Sequence, residues 1–258
     1  MDKSPRILAV DVGNTSVLFA DISAKGIKKT FRVTTQNASR PKAMRDLKKI
    51  FDLRKMDAVV IAGVVPLLVK SLASRISSCL GVKTIVLGKD IPVPVANRYR
   101  NPKQVGIDRL VNAFAAVRKY GTACVIVDFG TAITFDVVSK KGEYLGGVIA
   151  PGIEISLEAL FQKTALLPKV RLRHPRGGVI GRDTVESIRL GCSIGIGGLC
   201  DHLTLKLKKE LGPKTLVIAT GGYAPFMKRY CKTINFVDPN LTIRGVWLAY
   251  QAFIQKNP

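Results

Sequence analysis

The chain has 258 residues, 47% of them hydrophobic and 7% aromatic, with 41 Lys/Arg against 18 Asp/Glu and a formal net charge of +23. This is globular composition, so a disordered chain is excluded, and the length suits one large or two small domains, each able to bury a core. The longest apolar run, residues 58–69, is broken by Gly63 and Pro66 and falls short of the about 20 residues needed to span a bilayer, so no membrane partner is expected.

Arg6–Val12, Ser16–Ile22 and Ile27–Thr34 read as three strands of a meander, the first two joined by a Gly-Asn-Thr turn. Pro41–Asp52 reads as a helix, with Met44, Leu47, Ile50 and Phe51 on one stripe. A buried strand (Asp57–Val64), a helix (Leu67–Leu80), a strand (Lys83–Gly88) and a proline-marked loop lead to a helix from Gly106 to Tyr120. The opening pattern then recurs, with strands Ala123–Phe129, Ala132–Ser139 and Glu143–Ile149 and a helix from Pro151-Gly152 to Lys163. A basic loop (Thr164–Gly181), one long helix (Asp183–Leu211), a strand (Lys214–Thr220) and a terminal helix (Leu241–Ile254) complete the reading.

The repeat carries the most information. LAVDVGNTSVLF from Leu8 and VIVDFGTAITFD from Val125 superpose at an offset of 117 residues, each a strand, an Asp-x-Gly turn and a strand. A repeat of about half the chain implies two related α/β domains, 1–119 and 120–258, facing each other across a central cleft.

The N-terminus lacks a long apolar region and a cleavage site, so a cytoplasmic location is expected. The five cysteines (Cys79, Cys124, Cys192, Cys200, Cys231) are odd in number with no C-x-x-C pair, which reads as reduced buried thiols. Residues 1–119 carry 23 Lys/Arg, 8 Asp and no Glu, and basic clusters lie at Arg40–Lys55, Arg98–Arg109 and Lys163–Arg176. No zinc-finger spacing or RNP aromatics accompany them, so they read as a solvated surface without specific nucleic-acid recognition. His174 and His202 lack partners at metal or triad spacing and read as surface residues.

In so acid-poor a chain, aspartates in glycine-flanked turns stand out. The turn Asp11-Val12-Gly13-Asn14-Thr15 can offer backbone N–H groups to phosphate oxygens, with Asp11 placed to hold Mg²⁺; the alternative is a type I′ hairpin turn. Its second copy, Asp128-Phe129-Gly130-Thr131-Ala132, favours the phosphate reading. In Gly106-Ile107-Asp108-Arg109 the carboxylate could take a hydroxyl proton beside an anion-holding arginine, or simply complement a helix dipole. Gly146–Gly152 could let two domain backbones approach or cradle a ligand, and Thr220-Gly221-Gly222 could admit an adenine face; both could equally be plain strand-to-helix turns.

Taken in order, these motifs resemble one family, the type III pantothenate kinases of the acetate kinase/sugar kinase/Hsp70/actin superfamily. The likeness runs through DVGNT at 11–15, VVP at 64–66, Tyr99 with NPKQVGIDR at 101–109, DFGTAITFD at 128–136, GGVIAPGI at 146–153, TALLP at 164–168, IGRDTVESIRLG at 180–191, TGGYA at 220–224 and DPNLTIRG at 238–245. It implies two duplicated actin-like/ribonuclease H-like domains and ATP-dependent phosphorylation of pantothenate to 4'-phosphopantothenate, the first step of coenzyme A biosynthesis. By resemblance, Asp11, Val12, Gly13, Asn14, Thr15, Ser16, Val17 and Leu18 wrap the ATP phosphates, and Thr131 contacts ATP. Asp108 is the proton acceptor. Tyr99, Gly106, Ile107, Asp108, Arg109 and Thr184 contact pantothenate, Thr184 in a homodimer. Asp128 holds a monovalent cation, K⁺ or NH₄⁺.

Two rivals remain at this level. A non-catalytic regulator of the same fold would suit the basic surface but would not need Asp11, Asp108 and Asp128. Another phosphotransferase of the superfamily, such as an acetate kinase or an exopolyphosphatase, would not need the stretches around Tyr99 and Thr184.

Overall fold

The structure is a computed structural model that describes residues 4–175 and 177–257. The chain divides into two compact units, the first running up to Lys119 and resuming at Asn240, the second comprising Tyr120–Pro239.

The first unit opens with β1 (Ile7–Val12), β2 (Ser16–Ser23) and β3 (Gly26–Thr34), an antiparallel meander. Next come α1 (Pro41–Ile50), β4 (Ala58–Gly63), α2 (Pro66–Leu80), β5 (Thr84–Val86) and α3 (Ile107–Tyr120). Proline stands in the first turn of α1 and of α2, where its missing N–H costs nothing, and Gly81 ends α2 in the left-handed region. The strand order is β3-β2-β1-β4-β5, with β4 and β5 parallel to β1.

The second unit repeats this plan. β6 (Cys124–Phe129), β7 (Ala132–Val138) and β8 (Tyr144–Pro151) form its meander, followed by α4 (Ile153–Lys163) and α5 (Thr184–Leu190). Then come α6 (Ile196–Leu211), β9 (Leu216–Thr220), a short α7 (Ala224–Met227) and β10 (Phe236–Val237). Its order, β8-β7-β6-β9-β10, and its strand directions match those of the first sheet. The duplication read from the sequence is therefore a duplication of topology.

α8 (Leu241–Lys256) closes the chain and returns to the first unit, although the sequence reading ran the second domain to residue 258. Its buried stripe explains the return. Ile243, Val246, Ala249 and Tyr250 join Ile7, Ala9, Val60, Val111 and Phe114 in one core on one face of the first sheet. Trp247 Nε1 donates to Pro5 O (2.8 Å) and Thr242 Oγ1 to Asn112 Oδ1 (2.8 Å). Gly245 lies so close to α3 that a Cβ would stand 2.5 Å from Val111 O. The other face packs Leu8, Val10 and Val12 against α1 and α2, so β1 is buried on both sides and is apolar at every position but Asp11.

The helix expected over Asp183–Leu211 is present and runs without a gap from Thr184 to Leu211. A π-helical turn at Gly191–Gly195, helical in backbone throughout, separates its α5 and α6 stretches. Gly191, Gly195 and Gly197 weaken the helix there, and Gly197 lets Tyr230 O lie against it. Cys124, Cys192, Cys200 and Cys231 are free and buried, as expected; the side chain of Cys79 lies outside the described residues. Burial pushes the Cys124 thiol up to about 12, consistent with an inert thiol.

Candidate active site

The first Asp-x-Gly turn joins two core strands. Val12 and Val17 are buried, while Asn14 and Thr15 are exposed at the tip, so the two valines can offer a ligand only their backbone. Gly13 N donates to Ser16 O (3.0 Å), and no described non-glycine residue has positive φ, which excludes the type I′ turn. Thr35 braces the turn from the end of β3: its Oγ1 donates to Gly13 O (2.7 Å) and its N to Thr15 O (3.0 Å).

Asp11 and Asp108 are brought near each other in this unit. Asp11, the penultimate residue of β1, lies on the face that α3 covers, and Asp108 lies in the first turn of α3. Desolvation, the nearby Asp108 carboxylate and the partly offsetting charge of Arg32 leave the Asp11 carboxyl raised to about 7. Asp108 is also raised, chiefly by desolvation, against the opposing effects of the Arg109 amide and the Arg109 charge. Its Oδ1 accepts from Arg109 N (2.8 Å). Gly106 makes room for this carboxylate, since a Cβ there would stand 2.5 Å from Asp108 Oδ1 and 3.4 Å from Val64 Cγ1. Arg109 is buried and Ile107 packs against the core. Tyr99 is half-buried in the loop before α3, its amide donating to Asn97 Oδ1 (3.0 Å).

The Asp11 shift has a definite sign. Folding raises this carboxyl from the ordinary 3.8 to about 7, so between those values the folded state holds a proton that the unfolded state has lost. Stability from this group is full below pH 4 and is lost as the pH climbs to 7. Asp11→Asn therefore melts several degrees higher than the parent at pH 8, and the gap narrows at pH 5, as thermal denaturation at the two pH values will read.

In the second unit, Asp128 is the penultimate residue of β6, and the turn is one residue shorter: Gly130 N donates to Ala132 O (3.2 Å). Two motifs that read equally well as plain strand-to-helix turns converge on it. A Cβ on Gly152 would strike Thr131 O and stand 2.6 Å from Thr131 C and 2.8 Å from Gly130 O. Gly221, at φ +89°, would press a Cβ onto Asp128 Oδ1 and to 2.7 Å from Phe129 C. Tyr223 N donates to Phe129 O (3.3 Å), and Tyr223 OH to Glu154 Oε1 (2.6 Å), which ties the loop after β9 to the start of α4. Glycines past the ends of two different strands were the available signal; which turn they met was not written in the sequence.

Thr184 is exposed at the first position of α5, in the second unit, whereas Tyr99 and Gly106–Arg109 belong to the first. Asp183 caps the helix, its Oδ1 accepting from Glu186 N (2.7 Å), while Glu186 Oε2 accepts from Arg182 N (2.9 Å). A cavity of about 400 Å³ beside it is lined by Val179, Gly181, Ser187, Leu190, Gly191, Ile194 and Gly195. His174 is exposed but not isolated: it stacks on Phe226 (4.2 Å) and meets Tyr230 OH through Nδ1 (2.8 Å).

No group of three or more His, Cys, Asp or Glu side chains with metal-site geometry exists among the described residues. Asp11 is a hard oxygen donor of the kind Mg²⁺ takes, with a charge cost that Arg32 only partly offsets. Around Asp128, Gly130 and Gly221 keep open a cradle that side chains would fill.

Comparison with known proteins bears on these arrangements. A family model described as type III pantothenate kinase matches residues 7–206. The type III pantothenate kinase of Moorella thermoacetica is 38% identical over 252 residues, covering 95% of this chain and 98% of that protein. That of Geobacter sulfurreducens is 39% identical over 251 residues, again covering 95% and 98%. Among solved structures, component A of the (R)-2-hydroxyglutaryl-CoA dehydratase of Acidaminococcus fermentans aligns with a TM-score of 0.56 at 13% identity, covering 96% of this chain and 99% of that one. An inorganic polyphosphate/ATP-glucomannokinase from Arthrobacter aligns at 0.52 and 13% identity, covering 97% and 99%. These two likenesses concern the fold alone, a two-domain actin-like α/β architecture.

Proposed function

This chain belongs to the type III pantothenate kinase family, and we propose that it phosphorylates pantothenate from ATP with Asp108 as proton acceptor. The observation that carries the assignment of Asp108 is its desolvated carboxyl, held by the Arg109 amide at the start of α3 and close enough to Asp11 for the two charges to interact. A raised carboxyl is a better base, and phosphoryl transfer asks mainly for positioning and charge neutralisation. Asp108 orients the pantothenate hydroxyl and takes its proton as the new P–O bond forms. Arg109 holds the substrate carboxylate or offsets charge beside it.

The turn at 11–18 takes the ATP phosphates through its N–H groups, and Thr131 is a further ATP contact. Asp11 holds Mg²⁺, which when bound neutralises phosphate charge; Asp128 holds K⁺ or NH₄⁺. Tyr99, Gly106, Ile107 and Thr184 complete the pantothenate contacts. A homodimer is supported by the second unit, which leaves Ile149, Leu166, Val179 and Ile180 between 63% and 92% exposed. We propose a cytoplasmic location. Among the described residues, no helix is long and apolar enough to cross a membrane.

The cation assignment is tested by turnover with Mg·ATP and pantothenate in K⁺ or in Na⁺ as the sole monovalent cation. Turnover is expected in K⁺, with a steep drop in Na⁺ that is absent from Asp128→Ala. Equal rates in the two salts for the parent would remove Asp128 from this role.

A further inference from the structure

The first sheet carries a residue that the motif reading passed over. Asp11 pairs opposite Leu18, and Leu18 opposite Arg32, so the three side chains lie in one row on one face of the meander. Arg32 is exposed on the edge strand β3, and its guanidinium reaches along the sheet to the turn. Nη1 donates to Ser16 Oγ (2.8 Å), the last side chain of the turn, and the Arg32 charge reaches the Asp11 carboxyl. Two nearby cations are engaged elsewhere: Arg6 grips Asp21 (2.7 Å), and Lys29 Nζ reaches Ile50 O (3.4 Å).

The fold itself gives little reason for this placement. An exposed guanidinium bonded to a neutral hydroxyl adds little stability, and Thr35 already braces the turn through two hydrogen bonds. Phosphate chemistry does give a reason. A planar guanidinium presents paired N–H donors that match phosphate oxygens, and its charge does not titrate. We propose that Arg32 is a phosphate-binding residue for ATP, set at the turn by Ser16. This rests on the reading of Asp11–Leu18 as the ATP phosphate turn and adds to it a side chain from a third strand.

The test compares ATP, ADP and AMP binding by calorimetry in the parent, Arg32→Gln and Arg32→Lys, together with steady-state kinetics. For Arg32→Gln, ATP binding weakens roughly 10- to 100-fold, the range for a charge-assisted contact, ADP binding weakens less and AMP binding is unchanged. The KM for ATP rises with it, the KM for pantothenate stays within about 2-fold, and Arg32→Lys recovers part of the loss. A merely structural arginine would instead lower the melting temperature and weaken all three nucleotides alike, which overturns the proposal, as does unchanged ATP binding in Arg32→Gln. A parent that neither binds ATP nor turns over overturns the reading of the turn as well. A parent that turns over normally beside an unaffected Arg32→Gln overturns the role of Arg32 alone.

Discussion

Replacing Asp108 with Asn lowers kcat by at least ~10²-fold, the usual worth of a positioned general base. The amide keeps the size of the side chain and can still accept from Arg109 N, so the start of α3 is preserved. What disappears is the capacity to take a proton. Because the carboxylate is held against desolvation, its removal does not destabilise the fold, and the variant melts at or above the parent temperature near pH 8. A second readout separates the base from a structural role. The Asp108 charge helps to raise Asp11, so in Asp108→Asn the acid limb of Mg·ATP binding moves to lower pH. Steady-state kinetics and a pH series of nucleotide titrations read both effects. Near-normal turnover would remove Asp108 from the base role.

Gly221→Ala should strongly damage the second turn. Gly221 sits at φ +89°, a conformation that a side chain resists. The new Cβ would meet Asp128 Oδ1 and stand 2.7 Å from Phe129 C and O, and the backbone carbonyl cannot yield as a flexible side-chain end can. The Asp128 carboxylate swings away, and the Gly130-Thr131 turn moves with Phe129. The expected cost is about 2–4 kcal/mol of stability, in the range of backbone strain combined with overpacking, together with loss of the preference for K⁺ over Na⁺. Gly222→Ala is the control one residue away, because nothing lies within 4 Å of a Cβ there. Chemical denaturation and the two-salt assay on both variants test this. Equal behaviour of the two alanines would refute the crowding argument.

Much of the fold was legible because it is written twice. An offset of 117 residues placed Asp128 on Asp11, and the two sheets share strand order and direction. Amphipathic period and proline starts located α1, α2 and α3 to within a residue or two. The destination of α8 was not legible, since an apolar stripe shows that a helix packs but not on which sheet. The glycines inside the helix over Asp183–Leu211 are visible in the sequence, but the π-helical turn at Gly191–Gly195 is not, since where the helix widens depends on tertiary neighbours such as Tyr230.

The site divides in the same way. Local motifs exposed Asp11, Asp108 and Asp128, since a carboxylate in a glycine turn is unusual in a chain with 18 acids and 41 bases. Arg32 was hidden because its relation to Asp11 is a cross-strand one, set by the register of β1, β2 and β3. Gly152 and Gly221 were seen as turns, but their shared target is a three-dimensional fact.

The central claim is tested most directly by incubating the purified chain with Mg·ATP, K⁺ and pantothenate and measuring ADP and phosphorylated pantothenate together by mass spectrometry. The expected result is equimolar appearance of ADP and 4'-phosphopantothenate, with neither formed when pantothenate is omitted. ADP release that ignores pantothenate, or no product from folded protein, would contradict it.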